Sequence, residues 1–224
     1  MPATHDTASA VLAAPLDGQT PYISSGTWSL LGVEEDYAHT DANSQVVNYS
    51  NEGSIDFKFR YQKNIMGLWM IQSVKRELND RYTVPQLANY AKTKQKGALV
   101  DVNDKRFLAP ESMRDEIDKA VGRELGIASQ MRIIYDSLAK SYADAIAELE
   151  RNTGKVYDTI NIIGGGCRDT FLNELTAQAT GKRIMAGPVE ATAIGNLIMQ
   201  MIGTGELPDL KTARQLIKKS FEVK

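Results

Sequence analysis

Apolar residues recur every three or four positions through residues 127–151, and this period is the clearest structural signal in the chain. Such spacing places apolar side chains on one face of a long helix that packs against a core. The repeating positions are Ile127, Met131, Ile134, Leu138, Tyr142, Ala145 and Leu149. Shorter helices are predicted over 6–14, 67–78, 84–92, 169–180, 191–201 and 210–220, with one more beginning at Pro110. Gly154 and Gly181 stand where left-handed helix caps are expected.

Runs rich in β-branched and aromatic residues predict the strands between these helices. They cover 22–33, 46–63, 98–102, 159–163 and 183–186. Turn residues divide the first two regions, Ser24-Ser25-Gly26-Thr27 in one and Asn51-Glu52-Gly53 in the other. Helices and strands alternate from residue 67 onward, which predicts an α/β domain with a mixed or parallel sheet between helices. No internal repeat or Pro-rich linker divides the sequence, so a single domain is expected.

Composition restricts the classes of function. The 26 Lys and Arg residues nearly balance the 28 Asp and Glu residues, for a net charge of -2. This leaves no broad cationic surface for nucleic acid. One cysteine and two histidines argue against a disulfide or a Cys/His zinc cage, and the cytoplasm is the expected compartment. No apolar run reaches the roughly 20 residues of a membrane-spanning helix, so no membrane is expected as a partner.

The run Gly164-Gly165-Gly166 joins a predicted strand to a predicted helix. Residues without a Cβ let a ligand approach the backbone, and a helix start offers free amides to anions, so a nucleotide phosphate suits this junction. A dinucleotide-binding G-x-G-x-x-G is excluded because Asp169 stands where its last glycine belongs. A Walker loop is excluded because neither Gly-Lys pair is followed by Ser or Thr. The alternative is that the glycines only pack the helix on the strand.

Three other features have both a structural and a functional interpretation. Asp6 is expected as an N-cap, but a carboxylate kept ionised at a helix start can also accept a proton from a substrate hydroxyl. The turn at Ser24–Thr27 is either ordinary or suited to gripping phosphate oxygens. Trp28 and Trp69 are expected in the core rather than as base-stacking platforms. Cys167 is interpreted as a small packing residue.

Five segments, taken in order, resemble the C-terminal half of the FGGY carbohydrate kinases. They are His5-Asp6-Thr7-Ala8-Ser9-Ala10, residues 22–30 from Tyr22, Lys63-Asn64-Ile65-Met66-Gly67-Leu68-Trp69, Gly164-Gly165-Gly166-Cys167 and residues 186–191 from Ala186. The resemblance implies an actin-like ATPase domain of ribonuclease-H-like fold, with a mixed sheet flanked by helices. It also implies transfer of the γ-phosphoryl group of ATP to the 1-hydroxyl of L-rhamnulose, in a cleft between two domains.

The resemblance assigns roles residue by residue. Asp6 matches the catalytic base, and His5 and Thr7 lie at positions implied to meet the sugar together with it. The implied nucleotide contacts are Thr27, Asn64, Gln72 and Gly165, and Asp169 is implied to approach the adenine end. Magnesium is expected to bridge the ATP phosphates. No carboxylate cluster in the sequence suggests a dedicated metal site in this chain.

The resemblance further implies that residues 1–224 form one C-terminal, nucleotide-side domain, truncated at both ends, whose N-terminal partner domain is missing. We therefore expect a chain that keeps its fold and weak ATP affinity but lacks turnover alone. An uncovered interdomain face would favour self-association. The alternatives are fuculokinase or another sugar kinase of the family, or a non-catalytic actin-like nucleotide-binding module. A dehydrogenase is disfavoured by the spacing at Asp169.

Overall fold

A computed structural model describes residues 6–16, 20–221 and 223. Within those residues, nine α-helices flank a six-stranded sheet. The strands are β1 (Tyr22–Ser25), β2 (Trp28–Glu35), β3 (Ser50–Gly53), β4 (Phe59–Met66), β5 (Thr159–Ile163) and β6 (Arg183–Ala186). The helices are α1 (Asp6–Ala13), α2 (Ala42–Val46), α3 (Trp69–Glu77), α4 (Val84–Lys92), α5 (Met113–Val121), α6 (Ile127–Thr153), α7 (Thr170–Thr180), α8 (Ala191–Gly203) and α9 (Leu210–Ser220).

The sheet is mixed, with the strand order β3-β4-β2-β1-β5-β6. Strands β1, β5 and β6 are parallel, whereas β2 is antiparallel to both β1 and β4. It follows that β1, β4, β5 and β6 all run in the same direction. Their last residues, Ser25, Met66, Ile163 and Ala186, therefore share one edge of the sheet, which we call the carboxyl edge. In open α/β sheets, ligands bind outside such an edge.

Each face of the sheet carries its own hydrophobic core. Side chains alternate between the faces along each strand. Ile23 and Ile162 accordingly belong to the larger core, with α6 and α7, whereas Tyr22 and Ile163 belong to the smaller core, with α1, α8 and α9. We call these the α6 face and the α1 face.

The long helix α6 confirms the periodicity prediction. Met131, Ile134 and Leu138 are fully buried against the sheet. The helix ends at Gly154, whose φ of 67° is the left-handed cap conformation expected there. The predicted bounds of α4, β5, β6 and α9 also agree with the structure. No helix among the described residues combines the length and the apolar character needed to cross a membrane.

Two local predictions were wrong. The residues Asn51-Glu52-Gly53 form β3 rather than a turn, and the turn follows at 54–58, where Asp56 and Phe57 have positive φ. Asn51 is held in its strand because its side chain bonds the backbone N–H and C=O of His39, at 2.9 and 2.7 Å. Residues 98–102 form no strand, since the amide of Val100 donates to Ser137 of α6 instead of to a neighbouring strand.

Candidate active site

The turn between β1 and β2 brings together two of the predicted nucleotide contacts. Thr27 is exposed in this turn, and its hydroxyl donates to Oε1 of Gln72 at 3.2 Å. Gln72 lies in the first turn of α3, which follows β4 at the carboxyl edge. The two side chains thus come from segments 45 residues apart in sequence and meet at one point of this edge.

The backbone of the same turn is held by the start of α3. The amides of Leu68 and Trp69 donate to the carbonyls of Gly26 and Thr27, at 2.9 and 3.0 Å. Gly67 permits this approach, because a Cβ there would lie 2.7 Å from each of those carbonyl oxygens. The first amides of α3 are therefore engaged by the turn, and what the turn presents to solvent is the Thr27 side chain.

The three glycines after β5 are not equivalent. Gly164 has a φ of 82°, and a Cβ on it would lie 3.0 Å from the carbonyl oxygen of Ser25. A Cβ on Gly166 would lie 2.0 Å from the hydroxyl of Ser25. Gly165 is exposed, and a Cβ there would meet no atom within 4 Å. Packing on β1 thus accounts for the outer two glycines and leaves Gly165 open to solvent.

Asp6 reaches the same edge through helix packing. Helices α1 and α8 lie side by side in parallel, and the hydroxyl of Thr192 donates to the Asp6 carbonyl at 3.3 Å. The loop leading into α8 also touches the glycine run, because the amide of Gly164 donates to the carbonyl of Pro188 at 3.2 Å. The exposed Asp6, the partly buried Thr7 and Gly165 therefore border one region of the carboxyl edge.

Asp6 lies at the start of the described part of α1, and its role as the N-cap stays a prediction. Its exposed side chain belongs to the first turn of that helix. His5, the other residue predicted to meet the sugar, lies outside the described residues.

Asn64 lies at the same edge but not beside Thr27. It is exposed on β4, opposite Leu30 of β2 and three residues before Gly67. The neighbouring Ile65 belongs to the larger core, so the alternation of side chains puts Asn64 on the α1 face. Of the implied nucleotide contacts, Thr27 and Gln72 touch each other, whereas Asn64 and Gly165 border the same edge from β4 and β5.

Asp169 is engaged in holding the fold. Its Oδ1 accepts the amide of Leu172 at 3.1 Å, which caps α7, and its Oδ2 accepts the hydroxyl of Tyr135 at 2.7 Å. Burial raises the pKa of the Asp169 carboxyl, and these hydrogen bonds offset only part of that rise. The predicted approach of Asp169 to adenine remains a prediction, and its observed contacts are with the protein.

Trp28 was wrongly expected in the core. It is 41% exposed on the strand side of the Thr27 turn, on the same face of the sheet as α1. The partly buried Trp69 does pack against the larger core, and its indole N–H donates to the Phe107 carbonyl at 3.0 Å. Cys167 is buried as predicted, and burial raises the pKa of its thiol, so it is a packing residue and not a reactive thiolate.

Among the residues that the structure describes, no group of three or more His, Cys, Asp or Glu side chains is arranged to hold a metal ion. The described residues thus do not provide a protein cage for magnesium.

Comparisons with known proteins agree with this architecture. A rhamnulokinase of Halalkalibacterium halodurans is 46% identical over 229 residues, which cover 100% of this chain and 49% of the relative. A rhamnulokinase of Bacillus subtilis is 47% identical over 231 residues, which cover 99% of this chain and 47% of the relative. The chain therefore spans about half the length of the curated relatives it matches.

A crystal structure of Plasmodium falciparum glycerol kinase with ADP superposes with a TM-score of 0.72 at 12% identity, covering 97% of this chain and 45% of that one. The fold is thus the actin-like ATPase fold of the sugar kinases. Residues 21–204 match the C-terminal domain of the FGGY family of carbohydrate kinases. This chain therefore belongs to the FGGY family of carbohydrate kinases.

Proposed function

We propose that this chain is the nucleotide-side domain of an enzyme that phosphorylates L-rhamnulose at its 1-hydroxyl with ATP. The choice of sugar is supported by the rhamnulokinases that are 46% and 47% identical to nearly the whole chain. The choice of nucleotide is supported by family membership and by the ADP in the structurally similar glycerol kinase.

The observation that carries the proposal is the position of Asp6 relative to the two nucleotide-side turns. Its helix start borders the loop that contacts Gly164, and Gly164 and Gly166 pack on Ser25, next to the Thr27 turn. A carboxylate, an exposed threonine hydroxyl and an open glycine thus lie along one edge of the sheet. An acceptor sugar beside Asp6 and a nucleotide along Thr27 and Gly165 fit this edge together.

The proposed chemistry needs little covalent work from the protein. The oxygen of the sugar 1-hydroxyl bonds to the γ-phosphorus, the bond from that phosphorus to the β–γ bridging oxygen breaks, and ADP leaves. Asp6 accepts the hydroxyl proton, and His5 and Thr7 orient the sugar. Thr27, Asn64, Gln72 and Gly165 hold ATP. A base in this role contributes about 10²- to 10⁴-fold to the rate, and alignment of the reactants supplies much of the rest.

The remaining parts of the site are proposed to come from outside this domain. A second domain, equivalent to the other half of the longer relatives, would close the cleft and supply most of the sugar pocket. Magnesium would neutralise charge on the ATP phosphates, and we assign it no ligand in this chain. A cytoplasmic location is also proposed, because the lone cysteine suits a reducing compartment and ATP is the donor.

The test is an ADP-release assay with L-rhamnulose. The chain alone is expected to give no turnover above background, whereas the complete two-domain enzyme is expected to be active. In the complete enzyme, Asp6→Asn should abolish turnover but leave ATP binding within about twofold, because the amide keeps the shape and loses the proton acceptor. Asp209→Asn is the matched control, since Asp209 also begins a helix but lies at α9.

Two results would contradict the proposal. Wild-type turnover by Asp6→Asn would remove Asp6 from the role of base, and turnover by the chain alone would remove the need for a second domain. A panel of ketoses with the complete enzyme decides the sugar. A higher kcat/KM for L-fuculose than for L-rhamnulose would favour the fuculokinase alternative.

A further inference from the structure

One buried tyrosine of α6 is hydrogen-bonded to the strands that carry the Thr27 turn. The hydroxyl of Tyr142 lies 2.8 Å from Oγ of Ser29. Ser29 is directly opposite Ser25 in the β1–β2 pair, and the two residues flank the turn. Tyr142 is 1% exposed, so a hydroxyl in the core holds the hairpin at the first ladder pair after the turn.

A second buried tyrosine of the same helix reaches the segment after the glycines. Tyr135 is fully buried and lies seven residues before Tyr142, which places both side chains on the same face of α6. Its hydroxyl donates to Oδ2 of Asp169 at 2.7 Å. Asp169 ends the short 3-10 turn Gly165–Arg168 and caps α7.

We propose that Tyr142 and Tyr135 are positioning residues that fix, from the core side, the two turns between which the nucleotide binds. Tyr142 sets the Thr27 turn through Ser29, and Tyr135 sets the Gly165 turn through Asp169. Seven residues of helix separate them by about 10 Å along its axis, so α6 acts as a rigid spacer between the turns. The inference rests on the proposed function for the identity of the ligand.

The two turns are neighbours, because Gly166 packs directly over Ser25. Each turn has its own tyrosine from α6, so the two hydroxyl contacts can be removed one at a time. Packing alone would be served equally well by phenylalanine at both positions of α6. The hydroxyl groups are therefore the informative atoms, and Tyr→Phe changes remove them without creating a cavity.

The first measurement is amide hydrogen exchange of the ligand-free chain. Tyr142→Phe should speed exchange about twofold to tenfold around residues 25–29 and leave 165–172 unchanged, as expected for the loss of buried hydrogen bonds. Tyr135→Phe should speed exchange around residues 165–172 and leave 25–29 unchanged. The control is Tyr157→Phe, because Tyr157 is also buried and its hydroxyl lies 3.0 Å from Thr153, near the end of α6. It should change neither segment.

The second measurement compares the binding of ATP and adenosine by calorimetry. Tyr142→Phe should lower the affinity for ATP several-fold and the affinity for adenosine much less, since the Thr27 turn faces the phosphates in the proposed site. Tyr135→Phe should lower both equally. A purely structural role would lower the melting midpoint without changing either affinity.

The outcomes separate the two proposals. Exchange that rises uniformly along the chain, or a ratio of affinities unchanged in both variants, would overturn the positioning role. If the two variants show the selective exchange but the wild-type chain binds neither ATP nor adenosine, the proposed function is overturned. The positioning of the two turns by Tyr142 and Tyr135 is then still supported.

Discussion

Substitution of Gly165 by alanine separates ligand contact from packing in the glycine run. A Cβ on Gly165 would meet no atom within 4 Å, and its φ is not in the left-handed region. Alanine there restricts the unfolded chain without strain in the folded one, so stability should stay equal or rise by about 0.4–1 kcal/mol. If the nucleotide lies against this backbone, the added methyl group should cost about 1–3 kcal/mol of binding, which is about fivefold to 150-fold in Kd.

Gly166→Ala is the matched comparison, one residue away. Its Cβ would lie 2.0 Å from the Ser25 hydroxyl and 2.7 Å from the Ser25 Cβ. Ser25 is 3% exposed, so its side chain has little freedom to move aside. Overpacking of this kind costs about 1–3 kcal/mol of stability. Gly165→Ala should therefore lower the affinity for ATP, whereas Gly166→Ala should lower the stability of the fold.

For both variants, urea unfolding measures the stability and calorimetry measures the Kd for ATP. Gly165→Ala should unfold at a midpoint no lower than that of the wild type while its Kd for ATP rises, and Gly166→Ala should show a lowered midpoint. An unchanged Kd in a stable Gly165→Ala protein would refute the assignment of this glycine to the nucleotide. The glycine run would then be a packing motif at Gly164 and Gly166, with no role assigned to Gly165.

Three further predictions use the same chain. Gly195→Ala should lower the unfolding free energy by about 1–3 kcal/mol, because its Cβ would lie 1.7 Å from the Ser9 carbonyl oxygen; an unchanged melting curve would contradict the close packing of α1 on α8. Burial raises the pKa of the Asp169 carboxyl above its ordinary 3.8, so the native state binds more protons and wild-type stability falls as pH rises from that value. Asp169→Asn should lose this fall, and parallel urea-derived curves for the two proteins would refute it. Light scattering of the chain alone should give a mass above 24.7 kDa that grows with concentration, through the face that the second domain would cover; a monomer at all concentrations would argue against it.

The elements that the sequence predicted well are those with local signals. Helix α4 has the expected bounds because Thr83 and Gln86 form a capping box at its start, with Pro85 in its first turn. Helix α6 ends at Gly154 because glycine adopts the left-handed cap without strain. Each of these signals lies within four residues of the feature it sets, so the sequence alone is sufficient.

The wrong predictions depended on distant contacts. The turn at 54–58 uses the non-glycine residues Asp56 and Phe57 in left-handed conformations, which propensity disfavours. Trp28 is a large aromatic residue of the kind expected in a core, but the helices on the α1 face leave it 41% exposed. The local sequence does not show which strand residues the packed helices will cover.

In the candidate site, too, local signals could be predicted from the sequence and distant contacts could not. The family resemblance predicted Thr27, Gln72 and Gly165 as nucleotide contacts, and the structure adds that Thr27 and Gln72 touch each other. It also distinguishes Gly165, which is open to solvent, from its two packed neighbours. A run of three glycines in the sequence does not show this difference. Tyr135 and Tyr142 were missed as site residues because their partners lie 34 and 113 residues away. Their spacing of seven residues in a buried helix was the only local signal.

The position of Asp6 follows from contacts between the two ends of the chain. Asp6 and Thr192 are 186 residues apart, and Gly195 lets α8 approach the backbone of α1 at Ser9. On the other side of α1, Arg214 of α9 donates to the carbonyls of Val11 and Leu12 and pairs with the buried Glu34 at 2.8 Å. The helix that carries the proposed base is thus held by α8 and α9, both encoded after the glycine run. A change at Gly195 or Arg214 should therefore alter catalysis through Asp6 before it alters nucleotide affinity, because neither residue contacts the Thr27 turn.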